Sequence, residues 1–207
     1  MIFVAGGTGY LGRPLIERLL NKGQFVRALV RPGSEVKLPK DADHSYDRHL
    51  EGCDTFVHLI GVPKPSPAKA KQFREIDLPQ ALESIEAARR AEIQHFVYVS
   101  VAQPAPVMKA YIEVRQECER ALEASGLRYT ILRPWYVLGP GHWWPYVLKP
   151  VYALMEAIPS TRESAQRLGL VTHEQMVRAL ELAVMNRPEK NRVLNVPDIR
   201  RVGDTSA

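Results

Sequence analysis

The sequence contains little cysteine: only Cys53 and Cys118 occur among its 207 residues, and there is no C-x-x-C pair. A disulfide framework is therefore not expected. The six histidines are not spaced as metal ligands are, so we also predict no bound metal. Proteins of reducing compartments typically use cysteine in this way, and we predict a cytoplasmic protein.

Long apolar runs are missing as well. The most apolar stretch, residues 135–159, is interrupted by glycines, prolines, His142 and Lys149. It falls short of the ~18 consecutive apolar residues that a membrane-spanning helix needs. Met1 leads directly into an apolar stretch, without the basic leader and cleavage site of a secretory signal. We therefore predict no transmembrane segment.

Charge of neither sign is concentrated in one part of the chain. Lysine and arginine number 28 against 23 acidic residues, which gives a formal net charge of +5. The cations are scattered along the sequence, whereas nucleic-acid-binding proteins usually cluster them on one face. We predict no nucleic-acid partner and expect a small-molecule substrate. The sequence leaves the oligomeric state open, a homo-oligomer included.

Short apolar strands alternate with amphipathic helices along most of the chain. Strands are predicted at residues 2–5, 25–30, 55–61, 95–100, 128–134 and 192–196, and helices at about 11–22, 69–91, 109–126 and 172–185. This alternation is typical of a parallel sheet with helices on both faces. The predicted fold is α/β: a single doubly wound (Rossmann) domain over residues 1–207, with residues 135–170 forming a small C-terminal substrate cap.

Three local features refine this fold prediction. Between Val30 and Thr55 there is room for only a vestigial strand and helix, so either this unit is reduced or a mobile stretch of the protein is missing from the sequence there. Thr172 and Gln175 have the spacing of a capping box at the start of a helix. The last residues, 200–207, are expected to be disordered.

The chain begins MIFVAGGTGYLGRPL, with Gly6, Gly9 and Gly12 between the first strand and the first helix. In a dinucleotide-binding turn, such glycines allow a sharp turn, close approach to a pyrophosphate and tight packing of the helix on the strand. The amino end of the helix offers N–H groups and partial positive charge to the phosphates. The strand–turn–helix context supports this interpretation. The predicted cofactor contacts here are Gly6, Thr8, Gly9, Tyr10, Leu11 and Gly12, with Gly61 added after the third strand.

The end of the second strand bears on the choice of cofactor. NAD-selective sites usually carry Asp or Glu there, whereas Arg favours the 2′-phosphate of NADP. This chain has Arg31 at that place, Ser34 nearby, and no carboxylate before Glu35. A guanidinium is well matched to a phosphate monoester. We predict that Arg31, assisted by Ser34, selects NADP over NAD.

The chain resembles the short-chain dehydrogenase/reductase superfamily, in its NmrA-like and epimerase-like branches. The resemblance is carried by AGGTGYLG, HFVYVS, YIEVR, LEASGLRYTILRP and YVLGPG, which together span most of the chain. It implies that Ser100 orients the substrate and that Tyr111 is the general acid/base. The family's Lys, four residues after the Tyr, is replaced by Arg115, and its usual Asn by Asp77. A fixed cation near a phenol still favours the phenolate, but Arg cannot relay a proton as Lys does.

Aromatic residues follow the strand at 128–134. Trp135, Tyr136, Trp143, Trp144 and Tyr146 give this stretch a broad apolar surface suited to a flat or hydrophobic substrate. A core plug or a dimer contact would use the same residues.

Three functions are compatible with these features. The first is an NADP-dependent oxidoreductase acting on a carbonyl or alcohol. The second is a non-catalytic NADP-sensing regulator or assembly factor, favoured by Arg115 in place of Lys. The third is a nucleotide-sugar epimerase or dehydratase, suggested by YVLGPG but opposed by the short chain.

Overall fold

The computed structural model describes residues 1–29, 50–139 and 165–204. Its strands are β1 Ile2–Ala5, β2 Val26–Leu29, β3 Thr55–His58, β4 His95–Val99, β5 Tyr129–Arg133, β6 Tyr136–Leu138, β7 Leu170–Thr172 and β8 Arg192–Asn195. Its main helices are α1 Gly12–Asn21, α2 Leu78–Arg90, α3 Lys109–Ala124, α4 His173–Met185 and α5 Val196–Asp204. None of the helices in these residues is long and apolar enough to cross a membrane.

Six strands form one parallel sheet in the order β2-β1-β3-β4-β5-β8. In the centre, Val4 pairs with Ala28 on one side and with Val57 on the other. The chain order therefore reverses at β1, and ligands of open α/β sheets bind beyond the carboxyl ends of the strands at such a point. β6 and β7 form a separate parallel pair. The predicted Rossmann-type α/β fold is confirmed, whereas the cap lies largely outside the described residues and stays a prediction.

Both faces of the sheet are buried, which explains why its strands read as continuous apolar runs. Alternate residues point to opposite faces. One face packs against α1, α4 and α5 and carries Val4, Val57, Val97 and Leu132. The other packs against α2 and α3 and carries Phe3, Phe56, Phe96 and Ile131. The Phe56 ring contacts the rings of Phe3 and Phe96, with 4.9 Å between the ring centroids of each pair.

The predicted helix at 69–91 is interrupted. A 3₁₀ turn at Pro67–Lys69 and three α-helical residues, Ala70–Gln72, lead into a π-helical turn at Phe73–Asp77, and α2 follows. Pro79 in the first turn of α2 has no N–H to donate to the preceding turn, so regular α-helical bonding cannot continue through it. The widened turn leaves Asp77 buried, and this residue belongs to the site described below.

Two predictions about the carboxyl-terminal part have definite outcomes. The capping box is confirmed: Thr172 Oγ1 accepts from the Gln175 amide, and the Gln175 side chain accepts from the Thr172 amide. The prediction of disorder at residues 200–207 is wrong for 200–204, which belong to α5. Gln175 Nε2 donates to Asp204 at 2.8 Å, and Gly203 packs so closely on Gln175 that a β-carbon there would lie 2.6 Å from its Cα. These contacts hold the polar carboxyl-terminal end of α5 against α4.

Candidate functional site

Gly6 forms the turn that leaves β1. Its φ is +88°, a left-handed value that favours glycine. A β-carbon there would lie 2.9 Å from the carbonyl carbon of Leu59, just after β3. The Leu59 amide in turn donates to Ala5 O at 2.8 Å. The turns after β1 and β3 are therefore in direct contact at the carboxyl edge of the sheet.

Gly9 and Gly12 complete the turn in different ways. The Gly9 amide donates to Gly6 O at 3.0 Å, and a β-carbon on Gly12 would overlap that same carbonyl oxygen. A β-carbon on Gly9 would meet only Gly6 O, so none of the residues that the structure describes covers the outer side of the turn. α1 begins at Gly12 with no side-chain cap and no acidic residue in its first turn. An open turn beside an uncapped, positively polarised helix end fits a pyrophosphate.

The other predicted residues of the turn lie around this opening. Thr8 is half-buried, Tyr10 is exposed, and Leu11 packs against the core. The Tyr10 ring lies 4.5 Å from the ring of His173, whose Nε2 donates to Tyr10 O at 2.9 Å. The Tyr10 hydroxyl occupies the space that a β-carbon on Gly139 would need. The glycine-rich turn is thereby joined to the end of β6 and the start of α4.

Arg115 is buried beneath the neighbouring strand ends. Its side chain is 6% exposed, and that of Asp77 is fully buried. The guanidinium donates to Asp77 Oδ2 at 3.0 Å, to Tyr98 Oη at 3.0 Å and to Val99 O at 3.3 Å. The second carboxylate oxygen of Asp77 accepts the Val62 amide at 2.8 Å. The two residues that depart from the family pattern are thus bonded to each other.

Tyr111 and Ser100 lie next to this ion pair. The Tyr111 ring lies between Phe73, at 4.8 Å between centroids, and the Arg115 guanidinium carbon, at 5.0 Å from the ring centroid. Ser100 follows the Val99 carbonyl to which Arg115 donates, and its buried Oγ has no partner among the described residues. The Nε of Arg115 is likewise buried and unpartnered there. These orphaned polar atoms fit a site completed by a bound molecule.

Burial and charge act together on this cluster. Burial alone would lower the pKa of Arg115, but Tyr111, Tyr98 and Asp77 raise it well above its ordinary value. Burial raises the pKa of Asp77, whereas the guanidinium and the Val62 amide oppose that shift. Burial also raises the pKa of the Tyr98 phenol. Tyr98 therefore stays a neutral hydrogen-bonding group, and Arg115 stays charged.

Gly61 contacts the same cluster: a β-carbon there would lie 2.7 Å from Arg115 Nη2. Arg31, Ser34, Trp143, Trp144 and Tyr146 lie outside the described residues. The described residues hold no group of three or more His, Cys, Asp or Glu side chains able to bind a metal ion.

His58 lies in the core beside this site, with Nδ1 3.0 Å from Ser84 Oγ. Burial, reinforced by the charge of Arg115, lowers its pKa to about 3. It is therefore a neutral core residue at physiological pH.

Sequence reasoning missed three contributions to the site. Tyr98 looks like an ordinary strand residue, Gly139 lies in the YVLGPG motif but was assigned no contact, and His173 has no motif of its own. The sequence does carry one signal of the ion pair. Relative to the family pattern, Asp77 replaces Asn and Arg115 replaces Lys, and a new acid beside a retained base suggests that the two are paired. Their spacing in sequence does not reveal it, since the contact depends on the order of β3, β4 and α3.

Comparison with known proteins supports a nucleotide site. Residues 6–139 match the family model described as NAD(P)H-binding. Ceramide reductase of Caulobacter vibrioides is 25% identical over 216 residues, covering 99% of this chain and 67% of the reductase. Photosystem II assembly factor Ycf39 of Trieres chinensis is 27% identical over 141 residues, covering 64% of this chain and 44% of that protein. The chain thus spans about two thirds of the first relative and under half of the second.

A solved structure shows the same fold. MoeE5 in complex with UDP-glucose and NAD superimposes with a TM-score of 0.66 at 22% identity, covering 96% of this chain and 79% of that one. The family match runs from Gly6 through β3, β4 and the Tyr111–Arg115 helix to Gly139. The chain therefore belongs to the NAD(P)H-binding family, and it has the Rossmann fold.

Proposed function

We propose that the protein is an NADP(H)-dependent oxidoreductase that acts on a carbonyl or alcohol of a small, hydrophobic substrate. The observation that carries this proposal is the meeting of two features at one edge of the sheet. The glycine turn follows β1, and Ser100, whose hydroxyl has no partner within residues 1–29, 50–139 and 165–204, follows β4. Because all six strands are parallel, both features lie beyond the same strand ends.

Each residue has a physical task in this proposal. The turn from Gly6 to Gly12, with Thr8, Tyr10 and Leu11, holds the pyrophosphate, and Gly61, which packs on Arg115, is a further cofactor contact. A bound nicotinamide supplies or accepts the hydride. Ser100 donates a hydrogen bond to the substrate oxygen, and Tyr111 gives that oxygen its proton or removes it. Arg115 holds Tyr111 and the end of β4 in register. The ceramide reductase relative supports a hydrophobic substrate.

Arg31 carries the proposed preference for NADP. The matched family binds either dinucleotide, and the MoeE5 structure contains NAD. We expect Arg31→Asp to raise the Kd for NADPH at least tenfold and to change the Kd for NADH by less than threefold. Isothermal titration with both nucleotides measures this. Equal losses for the two would contradict the assignment of Arg31 and Ser34 to the 2′-phosphate.

Tyr111→Phe tests the catalytic part of the proposal. Wild-type protein is screened for NADPH oxidation with quinones, aldehydes and ketones, and the best substrate is used for the variant. Loss of the phenol proton should lower kcat at least about 100-fold, within the range of general acid catalysis, while the Kd for NADPH changes less than twofold. Full activity in Tyr111→Phe would remove this residue from the mechanism.

A second candidate is an NADP-sensing regulator or assembly factor. It is favoured by the bonds of Arg115 to Asp77, Tyr98 and Val99, which leave its guanidinium fewer donors for a cofactor or substrate. The similarity to Ycf39 points the same way. Tight NADPH binding with no turnover across the whole panel would favour this function over the oxidoreductase.

We also propose a cytoplasmic location for the protein and a substrate cap within its single domain. Both cysteines are buried and neither forms a disulfide, which supports a reducing, cytoplasmic location. We retain residues 135–170 as the proposed substrate cap of a single domain, because β6 and β7 bring the ends of this stretch together.

A further inference from the structure

The Asp77–Arg115 ion pair joins three segments of the chain beside the proposed active site. Asp77 accepts the Val62 amide, next to Gly61 in the segment that follows β3. Arg115 donates to the Tyr98 hydroxyl and to Val99 O at the end of β4. The two side chains are bonded to each other at 3.0 Å. The position of each segment therefore depends on both members of the pair.

The pair is also electrically balanced. A buried guanidinium without its carboxylate is strongly unfavourable, because neither water nor another charge compensates it. Asn at position 77 would keep an oxygen for the Val62 amide but would leave Arg115 uncompensated. Arg115 reaches its partners with two nitrogens: Nη1 donates to Tyr98 and Val99, and Nη2 donates to Asp77. A lysine at position 115 has only one nitrogen for all of them. Neither residue can be changed alone without breaking contacts of the other.

We propose that Asp77 and Arg115 act as one charge-neutral positioning pair, which replaces the Asn and Lys of related enzymes as a unit and fixes Tyr111 against the end of β4. This inference rests on the proposed function for its catalytic consequence. The segment at Gly61 and Val62 follows β3, next to the strand that leads into the glycine turn. The pair therefore also affects NADPH affinity, which can be measured without turnover.

A double-mutant cycle tests the pair with Asp77→Asn, Arg115→Lys and the double variant. Each single substitution should raise the Kd for NADPH at least tenfold and lower kcat at least tenfold. The double variant should return both quantities to within about threefold of wild type, because a buried lysine, unlike an arginine, can lose the proton whose charge Asn does not balance. Recovery of kcat distinguishes positioning of Tyr111 from a purely structural role.

The exposed pair Arg74–Glu117 provides a matched control. It joins the same two elements, the π-helical turn and α3, at 3.3 Å, with side chains 57% and 41% exposed. Arg74→Lys, Glu117→Gln and their combination should each change the Kd for NADPH and kcat less than twofold.

Several outcomes would overturn the inference. If the losses of the two single variants simply multiply in the double variant, Asp77 and Arg115 are independent. If Asp77→Asn does not fold, a folded double variant still demonstrates the coupling, and a double variant that also fails to fold refutes it. If wild-type protein turns over no substrate, the proposed function fails, while the cycle in NADPH affinity and unfolding midpoint still decides whether the pair acts as one unit.

Discussion

At the scale of single residues, Gly6 meets two separate constraints. Its φ of +88° disfavours any side chain, and its missing β-carbon makes room for the backbone of Leu59 and Ile60. Gly126 meets only the first constraint: its φ is +76°, and no atom of the described residues lies within 4 Å of the place where a β-carbon would be. The two residues form a natural pair for separating backbone strain from close packing.

We expect Gly126→Ala to lower the free energy of unfolding by about 1–2 kcal/mol through its left-handed backbone alone. Gly6→Ala should lower it by at least about 1 kcal/mol more, because the added methyl group displaces the turn after β3. Only Gly6→Ala should weaken NADPH binding, by tenfold or more. Urea denaturation and isothermal titration measure the two effects. Equal destabilisation by both substitutions would contradict the role assigned to the contact with Leu59.

The turn at Gly6 and Gly12 could be predicted from the sequence, because glycine spacing reflects a requirement of the local backbone, whereas the contacts of these residues with a cofactor stay predictions. It predicts Ser100 and Tyr111 only through a family resemblance. The bond between Asp77 and Arg115 is beyond such reasoning, since the two residues are 38 positions apart and meet through the packing of three elements. Side-chain pairing across elements is a tertiary property that a local pattern does not contain.

At the scale of elements, strand and helix types follow from the sequence, but boundaries and irregular turns do not. The strand predicted at 55–61 ends at His58, because the chain turns there to pack on Gly6. The π-helical turn before α2 escapes prediction, because its residues have no unusual composition and only Pro79 indicates a break. The short strands β6 and β7 and helix α5 were also missed. Their apolar residues number too few to show a period.

The contact between the glycine-rich turn and α4 depends on His173. Its Nε2 donates to Tyr10 O at 2.9 Å, so the first residue of α4 fixes the outer part of the turn. We expect His173→Ala to raise the Kd for NADPH about three- to tenfold, because this donor is lost. The unfolding midpoint should change little, since the contact is exposed. Fluorescence titration of NADPH measures the effect.

His173→Gln is the matched control for this prediction. The glutamine Nε2 can take the place of the imidazole Nε2, so the variant should keep most of the wild-type affinity. Equal losses in His173→Ala and His173→Gln would show that the ring contact with Tyr10, and not the hydrogen bond, holds the turn.

At the scale of the whole molecule, two buried histidines couple folding to pH. Burial lowers the pKa of His58 to about 3 and that of His95 to about 4, from an ordinary value of 6.5. His58 is bonded to Ser84, and His95 Nε2 lies 3.0 Å from Thr130 Oγ1. Below pH 6.5 the unfolded chain takes up protons that the folded protein does not. These two histidines therefore do not reduce the free energy of unfolding above pH 6.5, and they lower it as the pH falls toward 4.

We expect His58→Asn to flatten this dependence. A fully titrating histidine contributes up to about 1.4 kcal/mol per pH unit to the slope. Asn can still bond Ser84 but takes up no proton, so the slope between pH 6 and 5 should become smaller by a comparable amount. Urea denaturation at several pH values measures it, with His95→Gln as a second, independent reduction. An unchanged slope in both variants would show that other groups dominate the acid response.

The parallel pairing of β6 with β7 has a consequence beyond the local geometry. Leu138 pairs with Thr172, and Tyr136 pairs with Leu170. The chain therefore leaves β6 and returns at β7 at neighbouring positions. Closing a longer excursion between such anchored ends adds only about 0.6 kcal/mol for each doubling of its length. Insertions or deletions between these anchors, beyond Gly139 and its contact with Tyr10, should therefore cost the parallel sheet little free energy. The same fold can then change its substrate specificity through replacement of this one segment.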